Sequence, residues 1–551
     1  MNIKKIHIEN FKIFKGSFDL FLNKGVNILV GNNETGKSTI IEAIHLALTG
    51  LYNGKYLKNE LTQYVFNNEI VDKYIVSLKT EKALPPPHIL IEIWMEGNNI
   101  AEMWGNGNSL KENNANGFYF KISFDEKYKT EYDELIKLGN IKTLPIEYYN
   151  VFWSSFARDE NISPKTIPLK SALIDSASNK SQNGSDIYIS RIVKDFLESE
   201  EIVKVSQAHR QMKDTFMEHK AIQAINKKIK EASKISDKKI ELSVELSSKN
   251  AWENSLITCI EDIPFHYIGK GEQCIIKTKL ALGHKKAIDA NVILLEEPEN
   301  HLSHSKLNQL ISDIINDNSK KQILISTHNS FVSNKLGLEN LILLNDKKTI
   351  KLNDLLPDTF DFFKKLAGYD TLRLILCKKA ILVEGDSDEL IVQKAYQVKN
   401  GKLPIEDGID VISVGTSFLR FLEIAEKIQK HVAVVTDNDG NVESLKKKYK
   451  NYLDENKKDF IKICFDEIVD AGNLEISGKK FNYNTLEPKI LKANDRNILN
   501  AILKTSYKTD DELHKHMKLN KTECALQIFD TTEDFTFPQY ILDAINPDEQ
   551  Q

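Results

Sequence analysis

The chain has 551 residues, of which 41% are hydrophobic and 28% are charged, and its formal net charge is −5. A chain this long exceeds one hydrophobic core, so we expect two or three domains. The slightly negative net charge excludes a polybasic protein. A nucleic-acid partner would therefore have to bind a local basic surface.

The cysteines and the N-terminus narrow the class of protein further. The five cysteines are scattered without a CxxC pair, which argues against a zinc site or a disulfide framework. Met1 leads directly into an alternating strand without a signal-peptide core, and no apolar run is long enough to span a bilayer. We therefore expect a cytoplasmic protein with no membrane partner.

Short runs of Val, Ile and Leu recur along the chain, and each is followed by residues that could bind a ligand or act in catalysis. Such runs are typical of buried parallel strands, and ligands of open α/β sheets lie beyond the carboxyl ends of these strands. The five runs are Val26–Val30, Val292–Leu295, Gln322–Ile325, Ala380–Val383 and Val432–Val435.

The first run leads into a phosphate-binding motif. Residues 31–38 read GNNETGKS, which matches GxxxxGK[ST], and they precede a predicted helix, Thr39–Leu48. Backbone N–H groups in such a loop wrap phosphates at a helix N-terminus, while Lys37 would pair with the β- and γ-phosphates and Ser38 would hold Mg²⁺. The candidate nucleotide-binding residues here are Asn32, Asn33, Gly36, Lys37, Ser38 and Thr39.

The composition changes between residues 155 and 250. Arg191–Phe216 and His219–Ser233 carry apolar residues at helical spacing among Lys and Glu, after a polar segment at Ser178–Ser185. We interpret this region as a helical arm inserted into the ATPase. A solvated hairpin used for dimer contacts is the favoured interpretation, and a DNA-binding arm is the alternative.

The second and third runs complete a predicted ATP site. Val292–Leu295 ends in two carboxylates, of which Glu296 would position Mg²⁺ and Glu297 would act as the general base. Gln322–Ile325 leads to His328, which could sense the γ-phosphate.

Two apolar runs in the C-terminal half also end in carboxylates. Glu384 and Asp388 follow the first, and Asp437 and Asp439 follow the second, with a helix and another strand, Asp410–Val414, predicted between them. Alternation along an extended chain would point Asp437 and Asp439 to the same side. An oxygen-rich cage of this kind suits Mg²⁺ or Mn²⁺.

The N-terminal motifs resemble the ATPase heads of the SMC/ABC superfamily. Residues 6–12, IHIENFK, are similar to the strand that opens such heads, and Gly269 and Gly271 stand where the signature loop is expected. Lys270 takes the place usually held by Ser. In that superfamily the signature loop closes over ATP bound to another subunit, so the resemblance implies at least a homodimer.

The order of the C-terminal motifs resembles the Toprim domain, and the whole chain resembles the OLD (overcoming lysogenization defect) nucleases. The sequence EEPENHL at residues 296–302 and the motifs around Glu487 and Lys521 are similar to those of the family. The resemblance implies two divalent ions per nuclease site, held by Glu384, Asp388, Asp437, Asp439 and Glu487. Lys521 would neutralise charge on the transition state.

The resemblance implies an α/β protein in which an ABC-type head with an inserted helical dimerisation arm precedes a Rossmann-like Toprim domain. The predicted segments are 1–154 and 251–365 for the ATPase, 155–250 for the arm and 366–551 for the Toprim domain. The implied activity is ATP-regulated, Mg²⁺- or Mn²⁺-dependent cleavage of DNA in bacterial antiphage defence. Implied partners are nucleic acid, further copies of the chain, and a helicase-like protein or a reverse transcriptase with its RNA–DNA product.

Three other functions remain open from the sequence. An SMC-like DNA-binding ATPase could carry a non-cleaving Toprim scaffold, or the chain could be an assembly subunit that reports nucleotide depletion to a partner. A Toprim primase or topoisomerase-like enzyme ranks lowest, because no tyrosine has a recognisable nucleophile context and no zinc-binding module precedes the Toprim motifs.

Overall fold

A computed structural model of the chain describes residues 1–32, 34–80, 82–97, 100–139, 141–175, 181–182, 185–186, 197–232, 242–243, 252, 258–327, 338–345, 348–351, 355–365 and 369–546. The chain divides into two compact units, one of residues 1–29 and 36–332 and the other of residues 30–35 and 333–551. No helix in these described ranges is long and apolar enough to cross a membrane.

The first unit contains an antiparallel and a parallel sheet. Its longer strands are β1 (Asn2–Glu9), β2 (Ser17–Phe21), β3 (Val26–Gly31), β4 (Ile89–Glu96), β5 (Ala115–Phe124), β6 (Tyr149–Ser155), β7 (Ser171–Asp175), β8 (Val292–Glu296) and β9 (Gln322–Thr327). The antiparallel sheet has the order β2-β1-β4-β5-β6. In the parallel sheet the order is β7-β8-β9-β3, so the carboxyl ends of the ATPase strands share one edge.

Eight helices lie between these strands in the described part of the first unit. Those of the first unit are α1 (Lys37–Thr49), α2 (Asn68–Ser77), α3 (Lys129–Lys137), α4 (Ser199–Glu218), α5 (Lys220–Ala232), α6 (Lys270–Gly283), α7 (Lys285–Ile288) and α8 (His304–Asp317). Helix α1 ends at Gly50, whose left-handed φ of 70° lets its N–H bond the carbonyl of Leu46. The helices α4 and α5 confirm the helical character predicted for the arm, while residues 191–196 lie outside the described residues.

A buried polar network crosses the antiparallel sheet. His7 on β1 contacts Asp19 through Nδ1 at 2.9 Å and Glu9 through Nε2 at 3.0 Å. Burial alone would lower the pKa of His7, but the hydrogen bonds to Glu9 and Asp19 and the charge of Glu92 outweigh it and raise the pKa. The protonated imidazole therefore stabilises this sheet.

Replacing His7 by Gln is expected to cost stability in a pH-dependent way. Because the folded-state pKa lies above the ordinary value, the stabilisation is complete below that ordinary value and is lost as the pH rises through the folded pKa. The difference in Tm between wild type and His7→Gln should therefore be large at acidic pH and shrink at alkaline pH. A difference that does not change with pH would contradict a charged His7.

The second unit is built on a four-stranded parallel sheet. The longer strands of this unit are β10 (Leu341–Asn345), β11 (Lys348–Lys351), β12 (Lys379–Val383), β13 (Ile409–Ser413), β14 (His431–Val435) and β15 (Ile461–Cys464). β10 and β11 form a hairpin, and the parallel sheet has the order β13-β12-β14-β15. β12 and β14 are therefore neighbours, as the carboxylate motifs require.

Helices surround this sheet and close its core. They are α9 (Pro357–Lys365), α10 (Tyr369–Leu376), α11 (Asp386–Asn400), α12 (Phe418–Ile428), α13 (Val442–Lys448), α14 (Leu486–Ala493), α15 (Arg496–Ile502), α16 (Asp510–Leu519), α17 (Lys521–Asp530) and α18 (Gln539–Ile545). Val383, Val435, Cys464, Leu486 and Tyr540 belong to one buried cluster. The last residues of three strands and the first of α14 are thus fixed in the same core.

Strands of two residues form small hairpins elsewhere. They are Leu51–Tyr52 with Lys55–Tyr56, Ser181–Gln182 with Ser185–Asp186, Cys259–Ile260 with Ile263–Pro264, and Glu475–Ile476 with Lys479–Lys480, while Trp104–Gly105 pairs with β5. All five apolar runs of the sequence are strands, as predicted. The three boundaries between the four predicted segments stay predictions.

Candidate active sites

The GNNETGKS segment turns sharply between β3 and α1. Thr35 donates its hydroxyl to the carbonyl of Asn32 at 2.8 Å. Gly36 has a φ of 104°, and a Cβ there would lie 2.7 Å from the ring of Phe14. Only glycine suits this position, and Lys37, Ser38 and Thr39 follow it in the first turn of α1.

Lys37 and Ser38 face the carboxylates at the end of β8. Burial lowers the pKa of Lys37, and the charges of Glu297 and Glu299 oppose that shift. The Glu296 carboxylate, at the end of β8, accepts a hydrogen bond from Ser38, yet burial raises its pKa. The structure therefore brings the predicted Mg²⁺ ligands Ser38 and Glu296 into contact.

The loop after β8 has unusual backbone geometry. Glu297 has a φ of 42°, in the left-handed region that a non-glycine residue rarely adopts, and its N–H bonds the carbonyl of Ser326 on β9. Asn300 donates to the Glu297 carboxylate at 3.3 Å. The predicted general base is thus held in one orientation at the strand edge.

Two residues of this region escaped the sequence interpretation. Glu299 accepts a hydrogen bond from the Thr327 hydroxyl at 2.6 Å, which joins the loop after β8 to the end of β9. Asp175, the last residue of β7, is the register partner of Glu296. The repeated carboxylates of EEPE could have pointed to Glu299, whereas nothing in the sequence aligns Asp175 with Glu296.

The predicted signature segment packs beside the loop after β8. Gly269 precedes α6, and a Cβ on Gly271 would lie 2.6 Å from the carbonyl oxygen of His301. The backbone of α6 therefore approaches this loop closely, as a glycine at position 271 permits. The other predicted ATP-site residues, Asn33 and His328, lie outside the described residues.

These residues fit a Mg²⁺-nucleotide. The P-loop turn, a buried lysine that is close to the charges of Glu297 and Glu299, and a Ser–Glu pair supply phosphate donors and metal ligands. Lys37 would hold the phosphates, and Ser38 with Glu296 would hold the cation.

The second candidate site lies at the carboxyl ends of β12 and β14. Glu384 follows β12, and Asp388 lies in the first turn of α11, where it accepts a 3.1 Å hydrogen bond from the N–H of Gly385. Asp437 follows β14, the strand next to β12. Glu487 lies in the first turn of α14 and is buried, with 5% of its surface exposed.

These carboxylates interact strongly with one another. Burial raises the pKa of Asp388 to about 7, with further contributions from Glu487 and Glu384. Burial also raises the pKa of Asp437 to about 8, with contributions from Asp388, Glu384, Glu487 and Asp439. Burial is the larger cause of each shift, and the proximity of the other carboxylates adds to it.

Lys521 provides one positive charge within this group. Its Nζ lies 2.9 Å from a carboxylate oxygen of Glu487. Burial would lower the pKa of Lys521, but Glu487, Asp437 and Asp388 outweigh it and raise the pKa. Thr485 also donates its hydroxyl to Glu487, at 3.2 Å. The structure therefore brings the predicted lysine and carboxylates together.

The prediction that alternation along an extended chain points Asp437 and Asp439 to the same side is wrong. β14 ends at Val435, and Asp439 has a φ of 48°, so the chain is not extended there and the alternation of a strand does not apply. Asp439 is exposed and accepts a hydrogen bond from Asn482 at 3.0 Å. A tight turn, rather than a strand, keeps it close enough to influence Asp437.

The donor set fits a divalent cation by charge and by atom type. All of the predicted ligands are carboxylates, the oxygen donors that Mg²⁺ and Mn²⁺ prefer, and their raised pKa values mark a place where added positive charge is stabilising. Within the described part of the chain, however, no three His, Cys, Asp or Glu side chains already stand at metal-binding geometry. Side-chain rotation would have to complete the site.

The turn that carries Asp437 and Asp439, which we call the DxD turn, is held by a set of contacts that the sequence did not predict. We call these contacts, made by Asn438 and Lys489, the buttress. Asn438, only 3% exposed, donates to the carbonyls of Asp466 and Ile468 at 2.6 and 3.1 Å. Lys489, two residues after Glu487, binds the carboxylates of Asp466 and Asp470, each at 2.6 Å. These contacts join the Asp437 turn to α14, and their long sequence separation left no signal to find them.

Lys489→Met is expected to destabilise the second unit strongly. It would leave Asp466 and Asp470 without their buried partner, and breaking a buried pair costs about 3–5 kcal/mol. Lys492 binds the same Asp470 but is 49% exposed, so Lys492→Met should cost at most about 1 kcal/mol. Urea unfolding of both variants measures the loss in the free energy of unfolding. An equal loss in the two variants would contradict a stabilising role for the buried Lys489.

Two domain families match the sequence. Residues 5–263 match the AAA domain, and residues 375–439 match the family described as overcoming lysogenization defect protein-like, TOPRIM domain. The class is therefore an AAA-type ATPase followed by a Toprim domain. This pair fits the OLD family, whose ATPase head precedes a C-terminal Toprim domain, and the predicted α/β fold class is confirmed.

Curated relatives match over short segments. The Clostridium tetani DNA replication and repair protein RecF is 26% identical over 84 residues, which are 15% of this chain and 23% of that protein. The Escherichia coli retron Ec83 probable ATPase is 36% identical over 75 residues, which are 13% of each chain. The match thus spans less than a quarter of either relative.

Solved structures align over a longer part of the chain. The SMC head domain from Thermotoga maritima aligns with 63% of this chain and 97% of its own, at 13% identity and a TM-score of 0.27. The Pyrococcus furiosus Smc head domain bound to the C-terminal domain of ScpA aligns with 66% and 99%, at 14% identity and a TM-score of 0.31.

Proposed function

We propose that the chain is an ATP-regulated, divalent-metal-dependent nuclease that cleaves DNA. The observation that carries this proposal is the group of carboxylates at the ends of β12 and β14, with Lys521 beside it. Carboxylates whose pKa values are raised by burial and by one another cluster at functional sites, and such a group is what a cation site requires.

The side chains have distinct roles in the proposed reaction. Glu384, Asp437 and Asp439 would hold one cation, and Asp388 with Glu487 would hold a second. Bound divalent cations supply Lewis-acid stabilisation of the phosphodiester and activation of water. Lys521, placed on Glu487, would offset charge that develops on the phosphate. Asn438 and Lys489 would keep the two halves of the site in register.

The ATPase would regulate this reaction through dimerisation. Lys37 would bind the phosphates, Ser38 and Glu296 would hold Mg²⁺, and Glu297 would polarise the attacking water as general base. His328 would read the γ-phosphate, and Gly269 and Gly271 would close over ATP on another copy of the chain. Closing the heads changes access to the nuclease sites, which is how ATP would control cleavage.

For the biological setting we propose bacterial antiphage defence, with a reverse transcriptase or a helicase-like protein as partner. The similarity to a retron ATPase of Escherichia coli supports this setting. We also propose a cytoplasmic location.

A second candidate is an SMC-like DNA-binding ATPase with a non-cleaving Toprim scaffold. The observation that favours it is that, among the residues the structure describes, no three ligands are prearranged for a metal ion.

Cleavage of supercoiled plasmid by the purified chain separates the two candidates. We expect nicking or linearisation with Mg²⁺ or Mn²⁺, none with chelator, and none with Asp388→Asn. Lys37→Ala should retain cleavage that is no longer controlled by ATP. No metal-dependent cleavage with or without ATP would overturn the nuclease in favour of the scaffold.

A further inference from the structure

The carboxylate group poses an electrostatic problem for a polyanionic substrate. Phosphates approaching Asp437 and Asp439 meet negative charge, and the chain as a whole carries a net charge of −5. A strand can be held there only if positive side chains lie close by on the same edge of the sheet.

One basic segment begins directly after the DxD turn. Asn441 caps α13 through a 2.9 Å hydrogen bond from the N–H of Ser444. Residues 442–450 contain four lysines and one glutamate, a net charge of +3. All four lysines are exposed, and Lys448 differs in that its ammonium group lies over the rings of Phe418 and Tyr449.

This segment is held close to the site by more than its position in the sequence. Lys446 pairs with Glu467 at 3.3 Å, in the loop that Asn438 anchors. A helix of seven residues spans about 10 Å, which corresponds to roughly three nucleotides of one strand. The exposed lysines therefore lie a few nucleotides from the DxD turn.

A second basic element contacts the turn itself. Lys479 and Lys480 are exposed on the hairpin that precedes Asn482, the residue that donates to Asp439. The hairpin is fixed by a 2.9 Å bond from Phe481 N–H to the carbonyl of Leu474. The two elements are thus tied to one turn, one through Asp439 and the other through the anchor loop.

We propose that Lys446, Lys447 and Lys450 on one side and Lys479 and Lys480 on the other form a lysine rim that binds nucleic-acid phosphates. One strand of the substrate runs between them across Asp437 and Asp439. This rests on the proposed nuclease function and adds to it the path of the substrate. The contacts are made to phosphates, so the binding does not depend on sequence.

Two double variants test the rim against a matched control. Lys447→Gln/Lys450→Gln and Lys479→Gln/Lys480→Gln each remove two exposed charges. Lys427→Gln/Lys457→Gln removes two exposed lysines just before β14 and β15, at the opposite edge of the sheet. Binding of the full chain to a fluorescein-labelled DNA duplex and to its single strand is followed by anisotropy, with Ca²⁺ in place of Mg²⁺.

Each rim variant should bind about tenfold more weakly at moderate salt, and the slope of log affinity against log salt should fall by about two. The control should match wild type. A rim variant that behaves like the control, or a wild-type chain that binds neither probe, would overturn the rim.

A parallel cleavage assay separates this proposal from the nuclease itself. Loss of binding in the rim variants of a chain that cuts nothing with Mg²⁺ or Mn²⁺ would support the rim and overturn the nuclease. Cleavage by the rim variants with the KM of wild type would support the nuclease and overturn the rim.

Discussion

Asp437→Asn is expected to lower DNA cleavage by at least about 10²-fold while leaving ATP hydrolysis unchanged. Asp437 interacts with every other carboxylate of the group, so its charge is the one that the cations would depend on most. The amide keeps the size of the side chain and removes the negative charge. Initial rates of plasmid nicking and of phosphate release, measured on the same preparation, provide the comparison.

Asp386→Asn is the matched control for this substitution. Asp386 begins α11, two residues before Asp388, but it is exposed, whereas the raised pKa values of Asp388 and Asp437 come mainly from burial and from the other carboxylates of the group. We expect nearly full cleavage from this variant. Equal loss in both variants would mean that any acid at this helix end matters, and the specific role of Asp437 would be wrong.

The same Asp437 variant should be more stable than wild type in chelator. Asp437 has a folded-state pKa raised to about 8, so ionising it opposes folding at any pH above its unfolded value of about 3.9. That cost grows as the pH rises towards about 8. The Tm gain of Asp437→Asn should therefore increase between mildly acidic and neutral pH. A variant Tm below that of wild type at every pH in this range would contradict the claim that ionised Asp437 destabilises the fold.

The second large effect is expected at the ATP site. Glu297→Gln should reduce ATP hydrolysis by about 10²–10⁴-fold, the usual contribution of a general base, and still bind ATP. Lys37→Ala should lose binding itself, because Lys37 is the buried cation of the P-loop turn. Fluorescent-nucleotide binding and phosphate release distinguish the two. Hydrolysis by Glu297→Gln at the wild-type rate would assign the base elsewhere.

The strands and their order along the chain could be predicted because a buried parallel strand needs a continuous apolar run. Val432–Val435 and Ala380–Val383 are such runs, and the carboxylates that follow them meet because neighbouring parallel strands end at one edge. The chemistry-bearing positions were therefore accessible from local sequence alone.

The turns after these strands could not be predicted in the same way. Both Glu297 and Asp439 adopt left-handed backbone angles, and the period of two that places side chains along a strand no longer holds there. The contacts that form the buttress were even less accessible from the sequence. Asn438 and Lys489 act through contacts to residues 19 to 30 positions away, which depend on the complete fold.

Titration of the nucleotide-free chain with Mn²⁺, followed by electron paramagnetic resonance, tests whether the carboxylates at the ends of β12 and β14 gather a cation. Wild type should remove Mn²⁺ from solution at concentrations at which Asp388→Asn/Asp437→Asn leaves it free. Identical titration curves for the two proteins would mean that these side chains share no metal ion.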